Sequence, residues 1–205
     1  MYHGERMNSI THLLGVVLAI VGVIVLVVRA GLTGDAWKIV SCSIYGGMLV
    51  ILYISSTLYH SIQGASKKFF QKFDHSAIYL LIAGSYTPFT LVTLRGAWGW
   101  SLFAVVWGLA VIGILQDILF SKRRGILSVI IYLLMGWIAL VAIRPLSLAL
   151  PGAGMTLLIA GGLFYTIGIV FYALDKRMIH SHGIWHLFVL AGSACHFFAI
   201  FLYVA

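Results

Sequence analysis

The stretch HSHGIWH, residues 180–186, places three imidazoles in seven positions at the start of the apolar run that ends at Ala205. His182 and His186 are four apart, so a helix sets them a turn apart on one face. Two imidazoles in that arrangement can chelate one metal ion, as i, i+4 histidine pairs do in zinc proteins. The plainer alternative is that they are interfacial side chains bonded to headgroups or loops. His180 precedes the helix and is not expected to join a ligand pair. SSTLYHS, residues 55–61, offers a second constellation, in which the Ser56 hydroxyl and the His60 imidazole share a helix face. KFDHSAIY, residues 72–79, offers a third, with the Asp74 carboxylate beside His75. An acid there is also what a helix dipole favours in a first turn. Three imidazoles, a carboxylate and an open position for water would make a catalytic-type zinc site. On spacing alone, His12, His60 and His75 each remain able to complete it.

These residues must be positioned by helices in a membrane. The chain has 205 residues, of which 62% are hydrophobic and 9% charged. A soluble domain carries about 25% charged residues, so a surface this poor in charge cannot face water all round. About 20 apolar residues cross a bilayer as a helix. Seven segments qualify, near 10–28, 39–61, 75–94, 97–120, 125–143, 153–174 and 184–204. Backbone polar groups in lipid must be satisfied within a helix or a closed barrel. The long continuous runs, unlike ten-residue alternations, favour helices. The expected architecture is therefore all-α, one seven-helix transmembrane domain over 1–205. The first run is uncharged from Leu13 to Val28 and no A-x-A site follows it, so it reads as a retained span.

The net charge is +8, but its cations lie between the apolar runs and form no basic face, which argues against a nucleic-acid partner. They read as a topology signal and as contacts to anionic headgroups. One side collects Arg6, Lys67, Lys68, Lys72, Lys122, Arg123, Arg124, Lys176 and Arg177, nine in all; the other collects Arg29, Lys38, Arg95 and Arg144, four in all. The richer side is expected to be cytoplasmic, with the N-terminus inside and the C-terminus outside. His3, His12, His60, His75, His180, His182 and His186 then share the inner side with Asp74. Ionisable groups converging at one depth suggest a site.

Other residues carry simpler readings. Cys42 and Cys195 are read as buried thiols. Trp37, Trp98, Trp100, Trp185 and Tyr203 suit an interfacial belt. Gly15 with Ala19 and Ala104 with Gly108 suit close helix packing. Asn8, Thr11 and His12 share a face of the first helix. Asp117 reads as a partner of Lys122, and His196 as a buried imidazole bonded to a neighbouring helix. Pro88 is expected to bend the third span.

Taken in order, Ser56-xxx-His60, Asp74 at the opening of a span and His182-xxx-His186 at the opening of the seventh resemble the hemolysin III branch of the progestin and adipoQ receptor (PAQR) family, within a wider group that includes the alkaline ceramidases. ERMNSITHLLG and FDHSAIYLLIAGSYTPFT are also similar to the bacterial hemolysin III pattern. The resemblance spans essentially the whole chain. It implies a zinc ion near the cytoplasmic face held by His60, His182 and His186. It implies that Asp74 holds or deprotonates the attacking water and that Ser56 helps to orient it. The expected activity is zinc-dependent hydrolysis of a lipid amide or ester that enters between helices. A non-enzymatic, receptor-like regulator of membrane homeostasis with structural zinc is the alternative, and a pore-forming cytolysin is a third. The implied location is a bacterial inner (plasma) membrane.

Overall fold

The computed structural model describes residues 4–119, 125–175 and 177–205. Among them the chain forms helices and no strand. The first three helices are α1 (Arg6–Leu32), α2 (Ala36–Ser61) and α3 (Ser66–Pro88), the last prolonged by a π turn, Phe89–Thr93. α4 (Ala97–Leu119) and α5 (Ile126–Trp137) follow; a 3-10 stretch, Ile138–Ala142, joins α5 to the short α6 (Ile143–Ala149). α7 (Gly152–Ala173) and α8 (Ser181–Tyr203) complete the chain. With α5 and α6 counted as one rod, seven are long and apolar enough to cross a membrane. Their outward faces are aliphatic: Val17, Val21, Ile24 and Val28 of α1 are all exposed. In lipid that exposure carries no hydrophobic cost, and the rods satisfy their own backbone groups.

α8 packs on α1, α1 on α2, and α2 on α3; α7 packs on α8, and α5 bridges α3 and α7. These six close a ring, and α4 lies against α3 and α5. The largest core cluster joins Leu26 and Ala30 of α1, Cys42, Tyr45 and Leu49 of α2, and Val189 and Ile200 of α8. Its polar atoms pair internally: Tyr53 Oη donates to Ser193 Oγ at 2.8 Å, and Tyr165 Oη lies 2.8 Å from the same hydroxyl.

The helices depart from the apolar runs in two places. The third span begins at Ser66 rather than near 75. The added turns, SKKFFQKF, carry cations and aromatics that suit an interface. Asp74 therefore sits in the third turn of α3, not at its opening, and the helix-dipole account of it lapses. The fifth span runs to Ala149 rather than 143, so Arg144 and Pro145 are helical. Pro145 is tolerated because it falls in the first turn of α6, where backbone N–H groups have no intrahelical partner. After Pro88 the third span widens into its π turn, and Thr90 Oγ1 donates to the Tyr86 and Thr87 carbonyls.

Three packing expectations meet different outcomes. Gly15 does lie against a partner, the Tyr53 ring. Ala104 and Gly108 instead face outward, and a Cβ on Gly108 would meet nothing within 4 Å. Trp185 is buried against Tyr172 rather than standing in an interfacial belt. His3, Lys122, Arg123, Arg124 and Lys176 lie outside the described residues, so the expected Asp117–Lys122 pair does too. Asp117 accepts a hydrogen bond from Ser128 Oγ at 2.6 Å, which ties α4 to α5.

Candidate metal centre

Three elements meet where α2 ends and α8 begins. His60 occupies the last turn of α2. α8 starts at Ser181 because His180 turns the chain with a left-handed backbone, φ 62°, and Ser181 Oγ donates to the Phe171 carbonyl of α7. That start fixes His182 and His186 on the face toward α2. Gly183 between them lets α1 come close, since a Cβ there would stand 2.6 Å from Met7 Sδ.

His60, His182 and His186 each offer a ring nitrogen within 4.8 Å of the others. Their ring centroids are 4.8–4.9 Å apart. His60 and His186 are buried and His182 half-buried. The outer edges of the His60 and His186 rings are hydrogen-bonded. His60 Nδ1 lies 2.6 Å from Glu5 Oε2. His186 Nδ1 lies 3.1 Å from the Asn8 carbonyl oxygen and 3.2 Å from Thr11 Oγ1. His182 Nδ1 lies 3.6 Å from Asp175 Oδ2. On His60 and His186 these contacts engage Nδ1, and His60 Nε2 is buried with no hydrogen-bond partner among the described residues. Converging imidazoles with one such orphaned nitrogen fit a metal ion that accepts nitrogen ligands.

The spacing had left the third ligand open among His12, His60 and His75, and the geometry brings His60 into the cluster. His12 instead stacks on His186, centroids 3.6 Å apart and planes 11° apart. His75 is not in the cluster; its backbone carbonyl accepts from Tyr132 Oη of α5 at 3.1 Å. His180 is exposed. His196 sits far along α8, its Nε2 3.2 Å from the Leu158 carbonyl of α7. Asp74 is half-buried on α3, within electrostatic range of His182 and Tyr172. Ser56 is buried one turn before His60.

Glu5 was missed by the sequence reading. It precedes α1, and its carboxylate gathers His60, Asn8 Nδ2 at 2.8 Å and Lys67 Nζ at 2.9 Å. Burial would raise its pKa, but the hydrogen bonds from His60, Lys67 and Asn8 outweigh burial and hold the carboxyl well below the usual range. The available signal was ERMNSITH itself, in which Glu5, Asn8 and His12 follow a helical stagger.

A multi-pass helical membrane protein with three histidines from two spans gathered at one end of the bundle is the class that fold and site define. The chain belongs to the haemolysin III-related family, whose profile, described as Haemolysin-III related, matches residues 1–197. It is 47% identical over 201 residues to Hemolysin-3 of Bacillus cereus, covering 98% of this chain and 91% of that one. It is 48% identical over 200 residues to the Hemolysin-3 homolog of Bacillus subtilis (strain 168), covering 97% and 93%. Against the human monocyte to macrophage differentiation factor it is 30% identical over 203 residues, covering 96% and 83%. These matches agree with the hemolysin III branch of the PAQR family.

Proposed function

We propose that this protein is a zinc-dependent hydrolase of lipid amide or ester bonds at the cytoplasmic face of a bacterial inner membrane, with His60, His182 and His186 as the zinc ligands. The observation that supports it most is the three-imidazole cluster, with His60 Nε2 buried and without a hydrogen-bond partner among the described residues. Three imidazoles suit zinc better than calcium or magnesium, which take oxygen ligands. Bound zinc supplies Lewis acidity toward a carbonyl oxygen and lowers the pKa of a water to about 7.

The chain's own groups do the rest. Asp74 takes a proton from the attacking water and returns it to the leaving nitrogen as the C–N bond breaks. Ser56, on the His60 face of α2, hydrogen-bonds that water and orients it. An apolar cavity of about 100 Å³ between α2, α3, α5, α7 and α8 is lined by Leu81, Trp137, Ile169, Trp185 and Val189 among others. It suits an acyl chain entering between helices, and Trp185 carries its wall to the residue beside His186. The cation distribution supports an N-terminus inside and a C-terminus outside.

Replacing Asp74 with Ala tests the reaction. The variant should keep its metal and lose about 10²–10⁴-fold in turnover of a ceramide-type lipid amide, the range for a general base. Unchanged turnover would remove Asp74 from the mechanism. One observation favours a second reading, a zinc-braced regulator without catalysis: among the described residues, none of the three histidines lines the two apolar cavities that reach His196. That reading predicts that stripping the metal changes the packing of α2 against α8 while no lipid amide or ester is cleaved at any stage.

A further inference from the structure

We infer that Glu5 is a positioning residue of the metal centre, fixing the His60 ring so that Nε2 faces the other two imidazoles. The inference rests on reading the histidine cluster as a metal site.

A carboxylate only accepts hydrogen bonds. The 2.6 Å contact between Glu5 Oε2 and His60 Nδ1 therefore places a hydrogen on Nδ1. In a neutral ring the lone pair is then on Nε2, the atom a metal must meet. A carboxylate behind a ligand imidazole also raises its basicity. The glutamate is itself held from both sides. Asn8 Nδ2 donates to the same oxygen, and Lys67 Nζ donates to the other at 2.9 Å. Glu5 thereby links the start of α1, the end of α2 and the first turn of α3.

The same segment orients a second ligand. The Asn8 carbonyl can only accept, so His186 also carries its hydrogen on Nδ1 and turns its lone pair inward. Two of the three imidazoles are thus set by residues 5–8. Among the described residues the charged neighbour of His182 Nδ1 is the half-exposed Asp175, at 3.6 Å and beyond hydrogen-bond reach. The ERMN segment is in this account the outer shell of the site.

The test is competition for zinc against a calibrated chelator, using the full chain in detergent as wild type, Glu5→Gln and Glu5→Asp. A glutamine amide can present N–H or C=O, so it leaves the tautomer of His60 unfixed. An aspartate keeps the charge but withdraws it by one methylene. The expected result is zinc affinity about 10–100-fold weaker in Glu5→Gln, the usual loss for an outer-shell partner, with Glu5→Asp between it and wild type. The metal-stripped forms should melt within a few degrees of one another. Wild-type affinity in Glu5→Gln would overturn the inference. So would a metal-stripped Glu5→Gln protein that melts early enough to account for the lost affinity, because Glu5 would then be only a structural tie. Wild-type protein that takes up no zinc would refute the metal reading beneath it, a distinct failure.

Discussion

His12 stands against the three-histidine cluster but is not one of its members. Its ring lies flat on His186 and edge-on to Tyr53, 5.1 Å away. Both of its nitrogens are buried without a hydrogen-bond partner among the described residues. A buried polar group left unpaired costs about 1–3 kcal/mol. His12→Phe keeps a stacking ring and removes both orphaned atoms. It should therefore stabilise the metal-stripped protein by about 1 kcal/mol and leave zinc affinity near wild type, read by thermal unfolding and chelator competition. A collapse of zinc affinity in this variant would place His12 in the ligand set. The pair His182 and His186 was legible from sequence because one helix carries both. The third imidazole was not, since His12, His60 and His75 lie at the same depth on three helices. Only the rotation of α2 about its axis separates them. The role of Glu5 was obscured for a related reason: its stagger with Asn8 and His12 is visible, but its partners, His60 and Lys67, are 55 and 62 positions away.

Element boundaries were legible where apolar runs end at glycine or charge, and obscured where the helix outlasts the apolar run. α3 begins at Ser66 because lysines and a glutamine can lengthen a helix into the headgroup region at no desolvation cost. The fifth span absorbs Arg144 and Pro145 because the 3-10 stretch lets a new first turn begin at Ile143. Close approach between elements was also hidden, since glycines that pack look like glycines that do not. Gly99 near the start of α4 is one that packs. A Cβ there would overlap the Thr90 carbonyl oxygen and stand 2.7 Å from that of Leu94. Backbone atoms cannot step aside as a flexible side chain can. Gly99→Ala should cost about 1–3 kcal/mol, the range for overpacking, and lower the melting temperature in detergent. Gly108→Ala on the same helix faces open space and should leave stability unchanged or raise it. Equal effects of the two would contradict the packing described for α3 and α4.

The whole bundle has one polar end and one plain end. Glu5, His60, Lys67, Asp74, Asp175 and His182 all lie where α1, α3 and α8 begin and α2 and α7 finish. Arg29, Lys38, Arg95 and Arg144 mark the other end. If that polar end faces the cytoplasm, a tag after Ala205 is reachable only from outside the cell, and a membrane-impermeant label on intact cells should find it. Labelling only after lysis would reverse the orientation and put the metal centre on the outer face. The class of the molecule followed from composition, because 9% charged residues leave a chain of this length no way to face water all round. What the bundle achieves as a whole is to bring α2 and α8 together around three imidazoles, and the proposed capture of one ion by them is tested most directly by elemental analysis. Protein purified without chelators should be compared with the His182→Ala/His186→Ala double variant. The account predicts about one zinc per chain in the wild type and none in the variant, with both proteins folded in the membrane. No metal in either, or equal zinc in both, would contradict it.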